Sequence, residues 1–201
     1  MPKLLIATRN AGKLRELSQL LHGIPFQLTS LDQEGIDVVV DETGATLEEN
    51  ARLKATLCAS ASNLLTLADD SALEVDALGG EPGVRSARYA GENASDTDRV
   101  SYLLSKLRDI PWERRQARFR CVIAIAYPSG EVKLCEGQCH GLVCLEPRGK
   151  QGFGYDPIFY FPDLNRTMAE LTPEEKNKLS HRGRAAEKAR QLLSHLRPSS
   201  M

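Results

Sequence analysis

A chain of 201 residues fits one sizeable domain or two closely joined lobes, and 41% hydrophobic residues suffice for a packed core. The formal net charge of −1 argues against a nucleic-acid coat, which needs a basic excess, but leaves room for a small phosphate-bearing ligand in a local basic pocket. No apolar run approaches the length of a membrane span, and the stretch up to Asn10 reads as a strand rather than a signal peptide, so a cytoplasmic location with no membrane or nucleic-acid partner is expected.

Lys3 to Ala7 reads as a short strand, followed by a turn from Thr8 to Gly12 and a helix beginning near Lys13, with Leu14, Leu17, Leu20 and Leu21 on one stripe. Ile36 to Val40 reads as another strand, ending at Asp41 and Glu42. Thr46 and Glu49 form a capping-box pattern, which opens a long helix. Leu64 to Ala68 reads as a buried strand ending at Asp69 and Asp70. Helical spacing returns from Asp98 to Leu107. Ala117 to Tyr127 is a long apolar strand, and Glu131 to Leu145 is its hairpin partner across the Pro128-Ser129-Gly130 turn. A second capping box at Thr172 to Glu175 opens a helical segment, and a last helix runs from about Arg184 to Leu196.

Strand–helix units combined with a long hairpin predict an α/β fold. The expected form is an elongated mixed β-sheet with flanking helices, in two lobes around a central cleft, over residues 1–197 with a loose tail at 198–201. The five cysteines are odd in number and irregularly spaced, so reduced thiols are expected rather than a disulfide framework. Cys135, Cys139, His140 and Cys144 could suggest zinc, but Cys139 and Cys144 would face opposite sides of a strand, and no CxxC pair occurs.

Four places carry residues that a core does not need. Thr8 to Lys13 joins a strand to a helix start, whose unpaired N–H groups and positive dipole end suit phosphate; an ordinary turn with a solvated lysine would read the same. Asn50 and Lys54 lie one turn apart beside the buried stripe Leu47, Ala51, Ala55 and Cys58, so Lys54 must either snorkel or find an anion. Asp69 and Asp70 are costly at the end of a buried strand unless paired or ligated. Magnesium, which takes hard oxygen ligands and bridges carboxylates to phosphates, would suit Asp70, with Glu42 as a second acidic ligand. The last place is Gln151 to Pro157, which opens a nine-residue span holding five of the eleven aromatic residues. Glycines on both sides of Phe153 let a flat ligand approach, and a base stacked on such a ring gains roughly 1–3 kcal/mol. Downstream, His181 and Arg182 can both donate to a 6-keto oxygen, where adenine presents an amino group.

These stretches together resemble the inosine triphosphate pyrophosphatase family. The resemblance is carried by Ala68-Asp69-Asp70-Ser71 with its continuation through Gly91, by Thr8 to Lys13, and by Glu48 to Ala51 with Lys54. Gly152 to Pro157 and Ser180 to Gly183 complete the set, in the family's order and over nearly the whole chain. The resemblance implies a homodimer that hydrolyses the α–β phosphoanhydride of noncanonical purine nucleoside triphosphates such as ITP, dITP and XTP, with Mg2+. It implies that Asp70 is the proton acceptor and a metal ligand, and that Glu42 and Lys54 support the metal and phosphates. Ser71 would touch the substrate, and Thr8, Arg9, Asn10, Ala11, Gly12 and Lys13 would hold the triphosphate. Phe153, Gly154, Tyr155, Asp156, Lys176, His181 and Arg182 would surround base and sugar. Two positions depart from the family's pattern: Ala72 stands where glycine is usual, and Arg9 where a small residue is common. Two competing readings are a Maf-like pyrophosphatase of modified pyrimidine triphosphates and a nucleotide sensor without chemistry. The His181-Arg182 pair argues against the first, and Asp69, Asp70 and Lys54 argue against the second.

Overall fold

A computed structural model describes residues 1–196; the expected loose tail lies outside the described residues. Among the described residues, seven strands form one mixed sheet. They are β1 (Lys3–Ile6), β2 (Gln27–Ser30), β3 (Leu65–Val75), β4 (Gln116–Ala126), β5 (Val132–Val143), β6 (Phe159–Phe161) and β7 (Arg166–Thr167), in the order β2-β1-β3-β4-β5-β6-β7. β1 pairs parallel with β2 and β3, whereas β6 pairs antiparallel with β5 and β7. Among the described residues, five α-helices accompany them: α1 (Ala11–Leu20), α2 (Leu47–Ser62), α3 (Asp96–Lys106), α4 (Pro173–Leu179) and α5 (His181–Ser194). The expected mixed sheet with flanking helices is the fold observed.

The chain divides into two compact units. The first comprises Met1–Asp70, Cys121–Gly137 and residues 181–196; the second comprises Ser71–Arg120 and Gln138–Ser180. The first unit's core packs Leu4, Ile6, Leu67 and Ile123 from the strands with Leu17 and Leu21 from the α1 end and Ala185, Ala189 and Leu193 of α5. In the second, Leu73, Val75 and Phe119 pack with Leu103, Leu107, Val143, Phe159 and Met168. Full burial of each large aliphatic side chain contributes about 1.5–3 kcal/mol, which anchors the strands that carry polar groups. All five cysteines are buried and free. No helix of the described residues is long and apolar enough to cross a membrane.

Three expectations need correction. The strand after α1 is Gln27–Ser30, in register with Lys3 to Ile6, and the expected strand Ile36 to Val40 does not form. The latter turns back through the Ile36 N–H to the Leu31 carbonyl and leaves Val39 78% exposed, so its apolar residues do not alternate into a core. β3 does not stop at Ala68 but runs to Val75, which puts Asp69 and Asp70 mid-strand. Their charges do not end the strand because cations beside them offset the burial. Finally, α5 begins at His181 rather than Arg184, so His181 and Arg182 form its first turn.

Local signals set the helix starts. Thr46 caps α2 by accepting the Glu49 N–H, but Glu49 reaches back to Ala45 rather than to Thr46, so the box is displaced by one residue. Thr172 and Glu175 form the expected complete box at α4, and Ser95 with Asp98 forms another at α3.

Candidate active site

In the first unit, the turn after β1 closes on its own side chains. Thr8 Oγ1 accepts the Asn10 N–H at 3.2 Å, and Asn10 Oδ1 caps α1 by accepting the Lys13 N–H at 3.0 Å. The acceptors of Thr8 and Asn10 are thus spent on the turn. Their O–H and N–H2 donors, together with the first N–H groups of α1 at Ala11 and Gly12, are what phosphate oxygens require. Lys13 turns inward, its Nζ 3.1 Å from Asp69 Oδ2.

Asp69 is the centre of a buried ion network. Its Oδ2 also accepts from Arg182 Nε and Nη2, both at 3.2 Å, and Arg182 Nη1 donates to Glu16 Oε2 at 2.7 Å. Burial pushes the Asp69 carboxyl up, but the Lys13, Arg182 and Lys54 cations outweigh it and hold the group well below the usual carboxylate range. Burial likewise opposes the Arg182 charge, and Asp69 and Glu16 more than restore it. The result is a fixed anion between fixed cations.

Neighbouring strand residues face opposite sides, so Asp70 meets a different set. Lys54 Nζ lies 3.5 Å from Asp70 Oδ1 and 2.7 Å from Glu42 Oε1, and one ammonium therefore joins the α2 helix, β3 and the 41–46 segment. Burial raises the Asp70 pKa; Lys54 and Lys13 oppose the rise without cancelling it, and Glu42 and Asp69 add to it. Lys54 moves up despite its burial because Asp70, Asp69 and Glu42 favour its charge. Asp70 Oδ2 is buried and accepts no hydrogen bond.

In the second unit, Gly152 to Asp156 forms a tight loop around one carboxylate. Asp156 Oδ2 accepts the Phe153 N–H at 2.9 Å and the Lys176 Nζ at 2.5 Å. Gly152 has φ +77°, and a Cβ there would lie 2.0 Å from Asp156 Oδ2, so only glycine fits. Lys176 is buried and its Nζ sits 4.8 Å from the centre of the half-buried Phe153 ring. Gly154 donates its N–H to Asp96 Oδ2 at 2.7 Å. The aromatic cluster divides: Tyr155 and Phe159 belong to the core, with the Tyr155 hydroxyl donating to the Ser86 carbonyl at 2.8 Å, while Phe153 keeps an accessible ring.

A model of the Ham1 family matches residues 4–192. The chain belongs to the Ham1 family. It is 52% identical over 185 residues to the dITP/XTP pyrophosphatase of Geobacter sulfurreducens, covering 92% of this chain and 93% of that one. It is 48% identical over 193 residues to the dITP/XTP pyrophosphatase of Bacillus subtilis, covering 96% and 98%. A HAM1 protein from Coxiella burnetii shares the fold with a TM-score of 0.89 and 41% identity, covering 98% of this chain and all of that one. The family drawn from the motifs is the one these relatives belong to.

Against the sequence reading, this Ham1 chain places Lys13, Lys54, Glu42 and Asp70 in the first unit within one linked set of charges. Phe153, Gly154, Asp156 and Lys176 come together in the second. Ser71 follows directly on Asp70 in β3 and is partly exposed. Ala72, the departure from the family's glycine, is buried in β3. Arg9 is exposed, with its Nη2 donating to Asp37 Oδ1 at 2.8 Å and to the Val38 carbonyl at 3.4 Å. His181 is buried at the start of α5, where Gly137 of β5 passes so closely that a Cβ would lie 2.2 Å from the His181 carbonyl oxygen. Arg182, read as a donor to a base, directs its guanidinium to Asp69 and Glu16. Sequence reasoning missed Glu16, although its i+3 spacing from Lys13 puts both on one face of α1.

Proposed function

We propose that this Ham1 protein hydrolyses noncanonical purine nucleoside triphosphates such as ITP, dITP and XTP to the monophosphate and pyrophosphate. The observation that carries the proposal is Asp70: a buried carboxylate with a raised pKa, one oxygen beside Lys54 and the other accepting nothing from the protein. A carboxylate raised by burial is a stronger base than one in water, and it takes the proton of the water that attacks the α–β phosphoanhydride. Lys13 and Lys54 bind the phosphates and offset the charge that gathers on the leaving pyrophosphate. The Phe153 ring offers a stacking face to the purine.

The residues fit a magnesium ion. A buried carboxylate oxygen without a hydrogen bond is a costly feature that a hard cation relieves, and Glu42, like Asp70, lies beside Lys54. The described residues gather no group of three His, Cys, Asp or Glu side chains for a metal. Magnesium does not require one, because it is commonly held by one or two carboxylates with water and substrate phosphate. When bound, it supplies Lewis-acid polarisation of phosphoryl oxygens.

The reading extends to a homodimer acting in the cytoplasm on free nucleotides, and the balanced net charge of −1 agrees with a small substrate rather than a nucleic acid. The deciding experiment is a panel of ITP, dITP, XTP, ATP and pyrimidine triphosphates, with magnesium or with EDTA, scored for monophosphate and pyrophosphate. Release of orthophosphate, or no preference for 6-keto purines, would contradict the proposal. Sedimentation velocity tests the dimer.

A further inference from the structure

We propose that Asn50 is a positioning residue for this reaction: it fixes the 42–45 segment against α2 and so holds the Glu42 carboxylate beside Lys54. The inference rests on the proposed role of Glu42 and Lys54. Asn50 is 1% exposed, and its Oδ1 accepts the Gly44 N–H at 2.8 Å. The segment passes α2 at a distance that only glycine permits, since a Cβ on Gly44 would lie 2.6 Å from Asn50 Oδ1 and 2.8 Å from Glu49 Cβ. One turn further along α2, Lys54 holds the same segment through Glu42. A single helix thus grips the segment twice, by its backbone at Gly44 and by its side chain at Glu42.

A further tie of this segment is more exposed. The Ala45 N–H bonds to Glu49, an exposed carboxylate open to solvent competition. Asn50 also bears a cost that a packing residue would not: its Nδ2 is buried and donates no hydrogen bond. An alanine would fill the α2 stripe without that cost, as Ala51 and Ala55 do. What alanine lacks is the acceptor that pins Gly44.

The test uses the full chain and two opposite perturbations. Asn50→Ala removes the acceptor; Gly44→Ala leaves Asn50 in place and pushes the segment away. Each is expected to lower kcat/KM for ITP by about ten- to a hundredfold, the range for groups that orient a ligating side chain. Amide exchange at Gly44 should quicken in Asn50→Ala, and the Glu42 side-chain carboxyl 13C resonance should move in both variants. In a Glu42→Gln background, Asn50→Ala should add less than about a twofold loss, because coupled residues do not add. A full loss in that background overturns the proposal and leaves Asn50 a merely structural residue. Unchanged Gly44 exchange or an unmoved Glu42 resonance overturns it as well. If the parent chain hydrolyses no ITP, the functional reading fails, and the exchange and carboxyl measurements still decide the positioning role.

Discussion

Replacing Asp69 by Asn should destabilise the protein far more than an ordinary polar substitution. The Asp69 side chain is wholly buried, and its Oδ2 receives Lys13 at 3.1 Å and two Arg182 donors at 3.2 Å. Arg182 is itself only 2% exposed, so loss of the anion takes one of two carboxylate partners, Asp69 but not Glu16, from a buried cation. Breaking such a pair costs about 3–5 kcal/mol, which at a urea m-value of about 2 kcal/mol/M moves the midpoint down by roughly 1.5–2.5 M. The pH dependence carries the sign. Asp69's folded pKa is lowered below its ordinary 3.8, so the unfolded chain binds the proton first as pH falls. The stabilisation is complete above the unfolded value and drains away as pH drops through 3.8 towards the folded one. The gap between wild type and Asp69→Asn should therefore narrow by about 1 kcal/mol between pH 5 and pH 3. Urea unfolding followed by circular dichroism at pH 7, 5 and 3 measures both effects. A midpoint shift below about 0.5 M at pH 7, or a gap that stays constant down to pH 3, would refute the reasoning.

Asp70→Asn should behave in the opposite way, abolishing turnover while changing stability by less than about 1 kcal/mol, because burial already disfavours the charge that the substitution removes. Asp70's raised folded pKa means its contribution is most favourable below 3.8 and falls as pH rises, so on acidification the wild-type urea midpoint should rise relative to that of the variant, the opposite sign to Asp69→Asn. Phe153→Ala should raise KM for ITP by about five- to 150-fold with a smaller change in kcat, since stacking is worth roughly 1–3 kcal/mol; steady-state kinetics reads the split. Gly152→Ala should lower the thermal midpoint and disrupt the Asp156–Lys176 pair, because the new Cβ meets Asp156 Oδ2 at 2.0 Å in a left-handed backbone; calorimetry and the ITP KM should move together.

Much of the fold could be read from periodicity. The β4–β5 hairpin, the α2 stripe and the α4 capping box were fixed by local chemistry, and each formed within a residue or two of its expected place. The errors arose where a distant partner decides. Ile36 to Val40 is as apolar as a strand, yet the place beside β1 went to Gln27–Ser30, whose Leu28, Thr29 and Ser30 give little alternation. Asp69 looked like a strand end because its compensating cations, Lys13 and Arg182, lie 56 and 113 residues away in sequence. The candidate site divides in the same manner. Lys54 had to snorkel or find an anion, and it found Glu42 and Asp70. Tyr155 and Phe153 sit two residues apart in one glycine-rich loop, and no local signal says that one enters the core while the other keeps an accessible ring.

The two adjacent aspartates show why position in the strand matters more than residue type. Strand alternation sends Asp69 toward Lys13 and Arg182, and Asp70 toward Lys54 and Glu42. One carboxylate is held well below the usual carboxylate range and ties α1 and α5 to the strand. The other is left with a raised pKa and an oxygen that accepts no hydrogen bond, which suits it to a proton and a cation. Neither could take the other's part: Asp69's lowered pKa makes it a poor base, and Asp70's incomplete partners make it a poor structural anion. Placing both in mid-strand rather than in a loop gives each its own direction, because successive strand residues face opposite sides.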